Sequence, residues 1–263
     1  MKLFIPTDLS ERSVVVVSQW LKAFDRSGTS ITLVHIIEPV GGSGAIMIDI
    51  SQVLRKEAVK QMDEIIDKAN LKSAKLDYRV EDGYYADKLS ELVNVFNPNF
   101  VLMPSKAKKG IDRFFTGQKA KKFIGKLNVP VLIVPDNMEE ISFRRIGLAV
   151  DFQDAPTTKT ESVLEEFEAY FDACVFSFHI DTDKEEDESF YNELKASGIY
   201  SQFEMHKAVT VQAGIKEYIA KEDIDLLVLL THKKGFFERL TDDNVSKYFV
   251  SDNNQPVLII NQK

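Results

Sequence analysis

VPVLIV, at residues 129–134, occurs a second time in slightly altered form as QPVLII at residues 255–260. The prolines in these two stretches, Pro130 and Pro256, are 126 residues apart. The same spacing relates four further landmarks: 101–103 (VLM) to 227–229 (LVL), Arg113 to Arg239, Lys121 to Lys247 and Phe123 to Phe249. One spacing shared by several landmarks indicates an internal repeat, so the chain contains two copies of one structural unit.

The beginnings of the two copies are also recognisable. Residues 3–8 read LFIPTD and residues 146–151 read IGLAVD, at a spacing of 143 residues. The second copy is therefore 17 residues shorter between its first and fourth strands. A chain of 263 residues suits two domains, because most domains contain about 100–150 residues. We predict one domain over residues 1–137 and a second over residues 138–263, joined by a polar linker at 135–142.

Short apolar runs alternate with helical patterns in each half. In the first half the patterns predict strands at 2–6, 30–37, 75–80, 100–104 and 130–134, and helices at 10–27, 50–71, 85–96 and 116–127. Ser10 is a suitable N-cap for the first helix. The second helix carries one apolar stripe, formed by Ile50, Val53, Leu54, Ala58, Met62, Ile65, Ile66 and Ala69. This alternation predicts an α/β chain with two open doubly wound, mainly parallel five-stranded sheets in tandem.

The composition narrows the class of protein. A net charge of −8 argues against nucleic acid as the main partner, because binding to phosphates depends on an excess of Lys and Arg. The single cysteine, Cys174, follows an alanine in an apolar run and is predicted to be a buried, inert thiol. The first residues contain too short an apolar run for a signal peptide, and no stretch is long enough to span a membrane. A cytoplasmic protein that binds no membrane is expected.

Four local motifs follow one another in the first half, and their order is informative. They are PTDLS at 6–10, HIIE at 35–38, FVLM at 100–103 before a basic loop, and NVPVLIV at 128–134. This order resembles that of the universal stress protein family. The resemblance occurs once in each half and so spans nearly the whole chain. It implies an adenine-nucleotide alpha-hydrolase-like fold. It also implies that the last strands, 131–134 and 257–260, pair within the chain as an intramolecular pseudo-dimer. A further homodimer is left open.

The resemblance also implies where a nucleotide would bind. Nucleotide-binding members of the family carry after the fourth strand a glycine, two residues, a second glycine, nine residues, and a third glycine followed by Ser or Thr. The matching positions are Pro104, Ala107, Gly117 and Gln118 in the first half, and Leu230, Lys233, Asp243 and Asn244 in the second. One of the three glycines remains in the first half and none in the second. Proline has no N–H to donate to a phosphate, so both loops are predicted to be degraded.

The candidate nucleotide site lies in the first half only. Its residues are Thr7, Asp8, Ile36 through its backbone, Met103, Pro104, Ala107, Gly117 and Gln118. Residues 106–126 hold eight basic residues against one acidic residue, whereas the matching residues 232–252 are neutral in sum. Two simpler interpretations remain open at this stage: Asp8 caps a helix, and the basic residues form a solvated face.

Three functions follow in order of preference. The first is a stress-response binding and regulatory module, without ordinary ATP binding, that acts through an unknown protein partner or another small ligand. The alternative is a regulatory protein with one functional nucleotide site in the first half, for which ATP with Mg is the candidate cofactor. An enzyme is disfavoured because no catalytic residue and no metal-ligand spacing is apparent. Weak ATPase activity is left open.

Overall fold

The computed structural model describes residues 1–39, 45–105, 127–135, 137–138, 140–150, 156–182, 203–231 and 255–262. The chain divides into two compact units, Met1–Ile141 and Ser142–Lys263. The domain boundary expected between residues 137 and 138 stays a prediction. Met138 belongs with the first unit in its contacts, because its carbonyl accepts a hydrogen bond of 2.9 Å from the indole Nε1 of Trp20.

The first unit is a parallel sheet with helices between its strands. Its elements are β1 Lys2–Pro6, α1 Glu11–Leu21, β2 Ser30–Ile37, α2 Ala45–Ala69, β3 Lys75–Asp82, α3 Tyr85–Phe96, β4 Phe100–Ser105 and β5 Val131–Pro135. The strand order is β3-β2-β1-β4-β5, and every described pair is parallel. The predicted fold class is confirmed for this half. Of the helix expected at 116–127, all but Leu127 lies outside the described residues.

The second unit repeats this architecture. Its elements are β6 Arg145–Ala149, α4 Thr158–Phe171, β7 Cys174–Asp181, β8 Phe203–Lys207, α5 Val211–Lys221, β9 Leu226–Thr231 and β10 Val257–Asn261. The strands follow the order β8-β7-β6-β9-β10, again with parallel pairing. The repeat inferred from the sequence is therefore a repeat of structure. The pairing expected between the last strands of the two halves stays a prediction.

Several strands are buried along their whole length. All residues of β5, β9 and β10 are buried, as expected for parallel strands that are covered on both faces. The edge strand β3 alternates exposed and half-buried residues instead. The Val-rich start of α1 is a poor helix by propensity, but Val14, Val16 and Val17 are buried, so tertiary packing outweighs propensity there.

The predicted burial of Cys174 is wrong, and the apolar stripe of α2 is buried only in part. The stripe is buried at Ala58, Met62, Ile65 and Ala69 and half-buried at Ile66, but Ile50, Val53 and Leu54 are exposed by 41, 64 and 41%. The helix has 25 residues and spans about 37 Å, whereas the eight-residue strands beside it span about 26 Å, so its ends extend past the strands. Cys174 is exposed, because it is the first residue of β7 and lies at the rim of the sheet.

Candidate functional site

The first unit has a crevice at the point where its strand order reverses. From β1 the chain continues outward through β2 and β3, and β4 and β5 then lie on the other side of β1. Ligands of doubly wound folds bind at such a point, beyond the carboxyl ends of the strands. Thr7 and Asp8 follow β1, and Met103 and Pro104 lie near the end of β4.

The hydrogen-bond ladder at the base of this crevice is shorter in the first unit than in the second. In the described part of the first unit, the β1–β4 ladder covers two residue pairs, Leu3 with Phe100 and Phe4 with Val101. In the second unit the matching β6–β9 ladder covers four pairs. The ladder of the first unit is shorter because Pro6 and Pro104 have no N–H to donate across it. The corresponding residues of the second unit, Ala149 and Leu230, each have an N–H group. The first unit therefore has fewer backbone hydrogen bonds across the base of its crevice.

The loop after β1 is held by its own side chains. Thr7 Oγ1 accepts a hydrogen bond of 3.2 Å from the N–H of Leu9. Asp8 Oδ1 accepts one of 3.1 Å from the N–H of Ser10 and another of 3.1 Å from its hydroxyl. Ser10 in turn caps α1, as predicted, by accepting from Ser13 N. Leu9 has a φ of 59°, an unusual conformation for a leucine, which these contacts maintain.

A histidine holds the end of the first strand in each unit. His35 Nδ1 lies 3.0 Å from the carbonyl oxygen of Thr7, and His179 Nδ1 lies 2.8 Å from that of Val150. A carbonyl can only accept, so Nδ1 carries the proton in both rings. The two rings occupy matching register positions, because Pro6 pairs with Val34 and Ala149 pairs with Phe178. The contact belongs to the common architecture of the repeat.

Two residues that the sequence analysis did not name as site residues, Glu38 and Tyr85, lie at the same edge of the sheet as Asp8. The N–H of Tyr85 donates a hydrogen bond of 3.0 Å to Glu38 Oε1. Burial, followed by the carboxylates of Asp8 and Glu38, raises the pKa of the Tyr85 phenol well above its usual range. The phenol therefore stays protonated at neutral pH. Glu38 follows β2 and Tyr85 follows β3, so the rule that strand ends share one edge could have identified both residues.

The predicted site residues divide into three groups. Thr7, Asp8 and Pro104 lie on neighbouring strands β1 and β4 or just beyond them. The side chains of Ile36 and Met103 are buried, with 6 and 1% exposure, so a ligand could meet only their backbone. The remaining three residues, Ala107, Gly117 and Gln118, lie outside the described residues. That these residues bind a nucleotide stays a prediction.

The second unit differs at the corresponding place. Leu230, the counterpart of Pro104, lies in β9, pairs with Ile260 and is 2% exposed. Asp151, Lys233, Asp243 and Asn244 lie outside the described residues. Within the described ranges of both units, no group of three or more His, Cys, Asp or Glu side chains is arranged to hold a metal ion. None of the described helices combines the length and the apolar composition needed to cross a bilayer.

The sequence model of the universal stress protein family matches residues 1–135 and 179–261, which lie in both halves. The chain belongs to the universal stress protein family. Universal stress protein MJ0531 from Methanocaldococcus jannaschii is 25% identical to it over 146 residues, which are 53% of this chain and 84% of that protein.

Two solved structures resemble this universal stress protein over almost its whole length. A universal stress protein from Archaeoglobus fulgidus covers 99% of this chain and 96% of its own, with a TM-score of 0.66 and 18% identity. The functionally unknown protein PA1789 from Pseudomonas aeruginosa covers 99% of this chain and 92% of its own, with a TM-score of 0.59 and 11% identity. The resemblance to these two structures is one of fold and extends over both halves, and the family model matches a segment in each half, so the chain has the tandem form of the family.

Proposed function

We propose that this universal stress protein is a cytoplasmic binding and regulatory module that lacks ordinary ATP binding. It acts through a protein partner or through a small ligand other than ATP, and it is not an enzyme. The observation that carries the proposal is the position of the first lost glycine in each half. Pro104 lies in β4 opposite Val134, and Leu230 lies in β9 opposite Ile260. A phosphate loop needs free backbone N–H groups, which proline lacks and a regular buried strand has already used.

The contacts of Asp8 support the same proposal. Its Oδ1 atom already accepts two hydrogen bonds from Ser10, which makes this oxygen part of a helix cap. A carboxylate with one oxygen committed in this way has less capacity for ribose hydroxyls or for the water shell of Mg²⁺.

A second candidate function is a single site for ATP with Mg in the first unit. The reversal of strand order between β1 and β4 favours it, because ligands of doubly wound folds bind beyond the carboxyl ends of strands at such a point. The sequence excess of basic residues at 106–126 favours it as well, because these residues could replace lost backbone contacts with side-chain contacts to phosphate.

Isothermal titration of the purified protein with ATP and Mg²⁺ tests the two candidates. Bound nucleotide is first removed, and its removal is checked by chromatography. Cyclic AMP (cAMP), the ligand in a solved universal stress protein complex, is titrated in parallel. We expect no saturable heat from ATP up to about 1 mM, which corresponds to about 4 kcal/mol of binding free energy. We also expect no release of ADP from the same samples.

A gain-of-function variant makes this test sharper. If the lost glycines are the cause, the double substitution Pro104→Gly and Ala107→Gly should create measurable ATP binding, with Trp20 fluorescence confirming that the first unit stays folded. Saturable binding near one ATP per wild-type chain, abolished by Asp8→Ala and retained in Asp151→Ala, would instead establish the one-site alternative.

A further inference from the structure

The start of α4 in the second unit lacks the local cap that two other helices have. Thr157 is the N-cap residue and has an extended backbone, with a φ of −94° and a ψ of 166°, but its side chain makes no capping hydrogen bond. Ser10 and Thr210, the N-caps of α1 and α5, accept from Ser13 N and Ala213 N. Thr157 Oγ1 is buried without a hydrogen-bond partner among the described residues. The first turn of α4 must therefore be stabilised from elsewhere.

The stabilising contacts come from the end of β10. Gln262 Oε1 accepts a hydrogen bond of 2.8 Å from the N–H of Thr157 and one of 3.2 Å from the hydroxyl of Thr160. Lys159 Nζ donates a hydrogen bond of 2.8 Å to the carbonyl of Asn261. In a capping box, a Glu or Gln at the third helical position reaches back to the N-cap N–H. That position holds Thr160 here, and Gln262 supplies the missing acceptor from 105 residues away.

Three residues of this arrangement are buried. Thr160, Asn261 and Gln262 are 0, 4 and 9% exposed. The N–H of Gln262 donates a hydrogen bond of 3.1 Å to the carbonyl of Thr231. This bond continues the ladder of β10 beyond its last residue and holds the backbone from which the Gln262 side chain extends. Lys159 is a cation in the first turn of a helix, where the helix dipole disfavours it, and burial lowers its pKa. The Asn261 carbonyl compensates part of that cost.

We infer that Gln262 and the Asn261 carbonyl form an intramolecular staple that replaces the local cap of α4 and keeps this corner of the second unit closed to anions. The start of a helix is otherwise a place where anions bind, because its N–H groups are unpaired. The staple belongs to the second unit alone. It does not depend on whether the first unit binds ATP.

Amide hydrogen exchange at Thr157, followed by NMR on the full chain, tests the staple. Gln262→Met keeps the approximate volume and removes the strong acceptor, and Gln262→Glu keeps the acceptor. We expect the Met variant to exchange about tenfold faster at Thr157, because a buried donor loses its partner, and the Glu variant to stay protected. Wild-type protection in the Met variant would mean that the residue only fills space, and the staple would be refuted.

Inorganic phosphate tests the closure. In the wild type, the Thr157 amide signal should not move when phosphate is added, and in Gln262→Met it should move in a saturable way. A movement of equal size in the wild type would show that the corner is open. No movement in the variant would show that something other than Gln262 excludes anions. Either result overturns the closure, and neither bears on ATP binding to the first unit.

Discussion

At the scale of single residues, Asp25 holds two distant parts of the first unit together. Its carboxylate accepts hydrogen bonds of 2.9, 2.8 and 2.7 Å from the N–H groups of Ala74, Lys72 and Ser73, in the connection between α2 and β3. The hydrogen bond from Ala74 is the largest cause of a lowered pKa, followed by those from Lys72 and Ser73. These contacts favour the ionised carboxylate in the folded state.

A pH dependence follows from this shift. Because the pKa of Asp25 is lower in the folded than in the unfolded state, its stabilising effect is complete above the unfolded value near 3.8 and is lost as the pH falls through the folded value. We expect Asp25→Asn to be less stable than the wild type at pH 7, and the difference to shrink as the pH falls below 3.8. Urea unfolding followed by Trp20 fluorescence measures it. A difference that is constant with pH would contradict the assignment.

At the scale of elements, Gly214 allows α5 to approach β7 closely. A Cβ atom at this position would lie 2.5 Å from Ile180 Cγ2 and 2.8 Å from Ala208 Cβ. Glycine is normally worse than alanine inside a helix by about 1 kcal/mol. Here close packing reverses the preference, because an added methyl group would force the helix away from the sheet.

We therefore expect Gly214→Ala to destabilise the second unit by about 1–3 kcal/mol through overpacking. Ala220→Gly is the matched control, since it makes the opposite exchange at an exposed position of the same helix. It should cost about 1 kcal/mol through helix propensity alone. Urea unfolding followed by circular dichroism compares the two variants. If Gly214→Ala stabilised the protein, the inference that α5 packs too closely on β7 for a side chain at this position would be wrong.

At the scale of the whole molecule, each compact unit has five strands and buried apolar residues of its own. The chain has one tryptophan, Trp20, which is fully buried in the first unit and bonded to Met138. Its fluorescence therefore reports on the unfolding of the first unit, whereas circular dichroism reports on both. This separation makes it possible to ask whether the units unfold independently.

We expect Gly214→Ala to lower the urea midpoint seen by circular dichroism and to leave the Trp20 midpoint within experimental error of the wild type. The reason is that the substitution lies in the second compact unit, and a domain with its own core is expected to unfold as its own cooperative unit. A Trp20 midpoint that moves together with the circular dichroism midpoint would show that the two units unfold as one.

Much of the fold follows from local patterns. β2 and α3 have the predicted bounds, Ser30–Ile37 and Tyr85–Phe96, because apolar periodicity and turn residues are properties of neighbouring residues. The location of Asp8 and Pro104 near the ends of two strands could be predicted in the same way. The exposure of Val53 could not, because an apolar stripe does not reveal where the sheet beneath a helix ends.

The sequence alone determined that this protein has two copies of one α/β unit, because repeats and periodicity are properties of the order of residues along the chain. That the phosphate loops of both copies are degraded stays a prediction. Only the tertiary structure decided which residues that are far apart in the sequence come into contact. The contacts of Glu38 with Tyr85, of His35 with Thr7 and of Gln262 with Thr157 join residues 28 to 105 positions apart. Such contacts depend on strand order and register, and these are set by the packing of the whole unit.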